Sequence, residues 1–139
     1  MTASWSPHEL ERINAAHELH IAGRRTDGTM RAWTPIWVVC ADGQAYVRTW
    51  YRRDTGWFGH ALRSQRARIR VPGLEAEAAV EDVGEGPAGL RERIDTAYRD
   101  KYGISGSSSM VEAAAAATTL RLSPEPQPRQ NSSTSAEVG

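Results

Sequence analysis

The pair Asp42-Gly43 divides two apolar runs of strand composition: Pro35, Ile36, Trp37, Val38, Val39, Cys40 before it, and Gln44, Ala45, Tyr46, Val47, Arg48, Thr49, Trp50 after it. The two-residue turn whose twist matches paired strands needs positive φ at both positions, which Asp and Gly accept and bulky residues resist. A β-hairpin follows, and with it antiparallel sheet through the middle of the chain. Pro72-Gly73 is a second turn dipeptide, joining Arg68, Ile69, Arg70, Val71 to a strand that runs from Leu74 to Val83. There Ala76, Ala78 and Val80 alternate with Glu75, Glu77 and Glu81, so one face is apolar and the strand is half-buried. Thr118 to Leu122 reads as a last short strand that ends at Pro124.

Ser6, Pro7 and Glu9 spell an N-cap, a first helical residue with no N–H to lose, and the acid that completes a capping box. Leu10, Ile13, His17 and Ile21 recur at three- and four-residue steps, which predicts a helix ending near Gly23. Trp57, Phe58, His60, Ala61 and Leu62 predict a short helix. Leu90, Ile94, Ala97, Tyr98 and Tyr102 predict another, stopped by Gly103. Ser109 and Glu112 offer a second capping box before Ala113–Ala117. Residues 125–139 hold Pro, Gln, Ser and Asn with almost nothing apolar, and are expected to be a disordered C-terminal tail behind a single domain of residues 1–124. Roughly five antiparallel strands among such helices close most economically as a small barrel with helices outside, because closure removes exposed edges.

The 139 residues leave room for one core, and the 40% that are apolar, with five Trp and four Tyr, can fill it. Basic and acidic residues balance at 17 each, which removes the strongly basic surface expected of a nucleic-acid-binding domain. The balance is uneven along the chain: residues 24–70 carry ten Arg against Asp27, Asp42 and Asp54, a local net charge of +7. Such a block either marks an anion site or pairs across the fold with the acidic remainder. Cys40 is the single cysteine; it excludes an intramolecular disulfide and fits a reducing, cytoplasmic compartment. No stretch reaches the roughly 18 apolar residues of a membrane span, and Met1–Leu10 lacks the basic start and apolar centre of a secretory signal.

The run Arg25, Thr26, Asp27, Gly28, Thr29, Met30, Arg31, followed by Thr34, Pro35, Ile36, Trp37, Val38, Val39, resembles the DUF2255 family of uncharacterised bacterial proteins. Tyr46-Val47-Arg48, Gly56-Trp57, Ala97-Tyr98-Arg99, Lys101-Tyr102-Gly103 and Thr118–Leu122 are similar to it in the same order, so the likeness spans about residues 5–124. That family is in turn similar to the flavin-binding split barrels, most of all the deazaflavin-dependent nitroreductase type. The resemblance implies an α+β fold, a small antiparallel split β-barrel with flanking helices, and a homodimer paired through its sheets. It implies an oxidoreductase that passes hydride between flavin mononucleotide (FMN) or a deazaflavin and a small apolar or aromatic molecule. It puts Arg24, Arg25, Thr26, Gly28 and Arg31 at the cofactor's phosphate tail, Thr34 and Pro35 beside its ring system, and Trp57 and Phe58 at the lip of the substrate side. Guanidinium forks, a Thr hydroxyl and the close backbone approach of Gly suit phosphate oxygens.

Trp37 and Trp50 join Trp57 and Phe58 as candidate substrate-pocket residues, with Trp50 and Trp57 flanking an irregular loop where a small barrel would open. The plainer alternative is that these rings are core. Three residues depart from the relatives' pattern: Asp27, whose charge opposes a phosphate, Thr29 in place of Lys, and His60 in place of Asn. They open a second reading, a cofactor-free small-molecule-binding barrel or tailoring enzyme of cyclase, isomerase or hydrolase type. His60 is the candidate catalytic residue there, since an imidazole near a pocket mouth is poised near neutral pH. His17 and His20 fall one turn apart on the predicted first helix with His8 nearby, but a metal site needs a third ligand and orienting partners, and no metal is expected. Cys40, on an expected buried strand, is read as inert.

Overall fold

The computed structural model describes residues 4–23, 25, 27–49, 56–84, 86, 89–103 and 110–124. Arg24, Thr26, Trp50, Ser109 and the expected tail, residues 125–139, lie outside them. The elements are α1 (Pro7–Ala15), β1 (Leu19–Ala22), β2 (Thr34–Ile36), β3 (Val39–Ala41), β4 (Gln44–Val47), α2 (Gly56–Ser64), β5 (Arg66–Val71), β6 (Leu74–Asp82), α3 (Leu90–Tyr102), α4 (Ala113–Ala116) and β7 (Leu120–Pro124). The strands form one antiparallel seven-stranded sheet in the order β2-β1-β5-β6-β7-β4-β3. Strands β2 and β3 stand at opposite edges, yet only Trp37 and Val38 separate them in sequence. Two residues cannot span a flat seven-stranded sheet, so the sheet curls until its edges approach. The result is a split barrel with helices packed on it.

Both expected hairpins form. Ala41 pairs with Gln44 across a turn in which Asp42 takes φ 53° and Gly43 φ 74°, and Val71 pairs with Leu74 across Pro72-Gly73. Period-two alternation then sorts the side chains. Leu19, Ile21, Ala67, Ile69, Val71, Ala78, Val80, Leu120 and Leu122 point inward, where Ile13 of α1 and Phe58 of α2 complete the core. Outward-facing Arg68 pairs with Glu75 and Glu77, and Arg121 with Glu81. A second cluster joins Val39 and Tyr46 of the hairpin to Leu90, Ile94 and Tyr98 of α3 and to Met110. Among the described residues no helix is long and apolar enough to cross a membrane.

Two expectations need correction. The first helix ends at Ala15, because Ala16 turns extended at φ −75°, ψ 130°, and Leu19–Ala22 continues as β1. Ile21 fits a helical stripe by spacing, but it pairs with Ile69 and Thr34 between two strands, so His17 and His20 do not share a helix. The second correction is the strand count: seven replace about five, since β1 falls within the span expected to be helical and the Thr34–Cys40 run divides at Trp37-Val38. The division leaves Val38 unpaired at both edges, and the end of α3 meets that need. The Tyr102 hydroxyl accepts from the Val38 N–H at 3.2 Å and donates to the His17 carbonyl at 2.7 Å, while Lys101 Nζ donates to the Val38 carbonyl at 2.7 Å. Burial lowers the Lys101 pKa and raises that of Tyr102 to about 12.

Candidate functional site

The loop between β1 and β2 is closed by its own backbone. Arg31 N–H donates to the Gly23 carbonyl at 2.8 Å, Arg25 N–H to Thr29 at 2.8 Å, and Gly28 N–H to Arg25 at 2.9 Å. Gly28, at φ 91°, holds the left-handed corner of this turn. Asp27 braces it: its Oδ1 accepts from the Thr29 N–H at 2.9 Å and from the Thr29 hydroxyl at 2.7 Å, and these bonds hold its carboxyl below the usual range. Asp27 and Thr29, which looked like obstacles to a phosphate, thus shape the loop that carries Arg25 and Arg31. Arg25 folds back, donating to the Met30 carbonyl at 2.9 Å.

The foot of this loop faces α2. A Cβ on Gly23 would lie 3.6 Å from His60 Cβ and 3.9 Å from Arg31 Cδ, so the glycine leaves a gap of about one methyl group between the two side chains. The Nε of Arg31 is buried with no hydrogen-bond partner among the described residues. An N–H withdrawn from water without an acceptor costs about 1–3 kcal/mol, which an incoming oxyanion would recover. On the far side Arg63 Nη2 lies 2.8 Å from His60 Nδ1. Desolvation first, then the charges of Arg31 and Arg63, lowers the His60 pKa. The corner therefore sets Arg31 and His60 on either side of a small space, with Arg63 bonded to the His60 ring, an arrangement suited to one anionic group.

The other candidates divide between two places. Thr34 pairs with Ile21 at the start of edge strand β2, where Pro35, lacking an N–H, is tolerated opposite His20. Trp57 sits half-buried with its ring edge-on to Phe58 at 5.4 Å, and Phe58 is 1% exposed in the barrel core. Trp37 is not brought to this pair: it stacks on Tyr102 at 4.0 Å with the planes 2° apart, and His17 sets its edge against both rings. A shallow cavity of about 520 Å³ lies beside His17, His20, Arg70 and Gly73. Among the described residues no three His, Cys, Asp or Glu gather as metal ligands. The Cys40 thiol is half-buried, which pushes its pKa up to about 11 and keeps it protonated at neutral pH.

Sequence reasoning gave no role to Arg48. It is 1% exposed, with Nη1 donating to Asp95 Oδ1 at 2.6 Å and to the Met110 carbonyl at 2.8 Å, and Nε to Thr119 Oγ1 at 2.8 Å. Nη2 and the buried hydroxyl of neighbouring Tyr98 have no hydrogen-bond partner among the described residues. The available signal was alternation: Arg48 lies two residues after Tyr46, on the face that α3 covers.

Comparison with solved structures agrees with this architecture. A FAD-binding protein from Mesorhizobium loti is similar at TM-score 0.55 and 15% identity, over 91% of this chain and 94% of that one. A conserved hypothetical protein from Mycobacterium tuberculosis is similar at TM-score 0.54 and 15% identity, over 87% and 80%. An F420 reductase is similar at TM-score 0.51 and 14% identity, over 84% and 92%. At these identities the likeness shows the fold, an α+β antiparallel split barrel. No curated protein matches the chain. The family model described as an uncharacterized protein conserved in bacteria (DUF2255) matches residues 9–122, and the chain belongs to that family.

Proposed function

We propose that this protein is a split-barrel oxidoreductase that binds a phosphate-bearing flavin, FMN or a deazaflavin, and acts on a small apolar or aromatic molecule. The buried Nε of Arg31, with no acceptor among the described residues, beside the Gly23 gap is the observation that supports it most, because a phosphate oxygen is what such a corner lacks. Two split barrels of similar fold are named as an FAD-binding protein and an F420 reductase, which supports the cofactor class. The bound ring would supply the hydride chemistry, and the protein its orientation. Arg31 and Arg25 hold the phosphate on the braced loop, with Gly28 allowing close approach; Arg24 and Thr26 join them by resemblance alone. Thr34 and Pro35 border the ring, and Trp57, backed by Phe58, shields the substrate side from water. Pairing of two barrels through their sheets belongs to the same proposal.

Titration of the purified protein with FMN and with a deazaflavin, followed by fluorescence, is expected to show saturable binding of at least one at tens of micromolar or below. Arg31→Ala should weaken it by about tenfold or more. Binding of neither at that concentration overturns the proposal and leaves the cofactor-free barrel. In that alternative His60 or a carboxylate near Trp57 would transfer the proton, and for His60 the task is opposed by the Arg63 contact at Nδ1 and by two nearby guanidiniums.

A further inference from the structure

We propose that His60 is a fixed hydrogen-bond donor in a phosphate clamp, its Nε2–H and the Arg31 guanidinium binding the same phosphate group across the gap at Gly23. The inference rests on reading this corner as a phosphate site, and it replaces acid–base work by His60 with recognition.

Arg63 sets the tautomer. A guanidinium has five N–H donors and no acceptor, so the 2.8 Å contact of Arg63 Nη2 with His60 Nδ1 requires a lone pair on Nδ1. The proton of the neutral ring is then on Nε2, which donates. A second proton could enter only at Nδ1, breaking the Arg63 bond and setting an imidazolium against Arg63 on its own helix and Arg31 on the facing loop. The same two charges, together with desolvation, already oppose protonation of the ring. The ring stays neutral near pH 7 and keeps one donor. Arg31 contributes the other half: its Cδ borders the Gly23 gap at 3.9 Å from the would-be Cβ, His60 Cβ borders it at 3.6 Å, and the Nε bonded to that Cδ lacks an acceptor among the described residues. A phosphate entering here satisfies both N–H groups.

Free phosphate and the phosphate of a cofactor share this chemistry, so the test has two arms. Long-range proton–nitrogen spectra of the ligand-free protein should show His60 as the neutral Nε2–H tautomer; an Nδ1–H ring overturns the proposal. Inorganic phosphate and FMN are then titrated separately. Each is expected to shift the Nε2 resonance saturably. His60→Ala should weaken both about tenfold, and His60→Gln, whose amide nitrogen takes the place of Nε2, should return affinity to within about threefold. Phosphate binding of this kind without FMN binding upholds the clamp and refutes the flavin reading. FMN binding that leaves Nε2 unmoved and tolerates His60→Ala does the reverse. A Gln variant as weak as the Ala variant also overturns the clamp.

Discussion

Arg48 carries its full charge into the interior because Asp95 meets it at 2.6 Å. The two residues are not equally dependent on each other. Asp95 has a second cation, Arg91, at 3.5 Å, whereas Arg48 has no other anion among the described residues. Removing one partner of a buried pair costs about 3–5 kcal/mol when the remaining charge is stranded. Asp95→Ala should reach that range in denaturant unfolding, and Arg48→Met should cost measurably less; equal losses would refute this asymmetry. His60 gives a second prediction, in pH. Its pKa in the folded protein lies below the ordinary 6.5, so on acidification the unfolded chain takes up this proton first. The group lowers stability as pH falls through 6.5, until the folded ring protonates. His60→Gln should therefore gain stability relative to the parent between about pH 7.5 and 5.5, read as the difference in denaturation midpoint.

At the level of elements, the joint between β2 and β3 is the most exacting place in the fold. Tyr102 serves both the N–H of Val38 and the carbonyl of His17 with one hydroxyl. Tyr102→Phe keeps the stack on Trp37 and removes those bonds, at a cost of about 1–3 kcal/mol. Hydrogen exchange at the Val38 amide should accelerate with it; an unchanged amide would show that Lys101 alone secures the joint. This joint was illegible in the sequence. Nothing at Trp37-Val38 resembles a turn, and the run stays apolar because Val38 faces the barrel core while Val39 faces α3. The two hairpins and α3 were legible, since Asp42-Gly43, Pro72-Gly73 and Gly103 act locally. β1 was lost to a coincidence: Ile13, His17 and Ile21 satisfy the helical period, and four residues are too few to establish a period of two. At the site, the family pattern pointed to Arg31, and residue type pointed to His60. Their meeting across Gly23 is a tertiary fact, as is the partnership of Trp37 with Tyr102 that removes it from Trp57 and Phe58.

Over the whole molecule, part of the basic block resolves into pairs with acidic residues elsewhere: Arg48 with Asp95, and Arg68 with Glu75 and Glu77. Exposed pairs of the second kind contribute only about 0–1 kcal/mol each, and salt screens them. Raising salt from about 0.05 to 0.5 M should leave the denaturation midpoint nearly unmoved while weakening phosphate binding at the Arg31 corner several-fold. A binding constant indifferent to salt would argue against charge recognition there.

The place of β7 has a temporal meaning. It lies between β6 and β4, pairing Val80 with Leu122 on one side and Ala45 with Leu122 on the other, and the Trp5 indole donates to the Leu122 carbonyl at 2.9 Å. A chain cut after Thr119 should fail to fold, and a separate peptide of residues 118–124 should restore cooperative unfolding; a stable truncated protein would contradict this. Without β7 the sheet divides into β2-β1-β5-β6 and β4-β3, two parts with open edges and apolar inner faces, the features that invite association between chains. Those edges close only when β7, made after all the other strands, takes its place between β6 and β4.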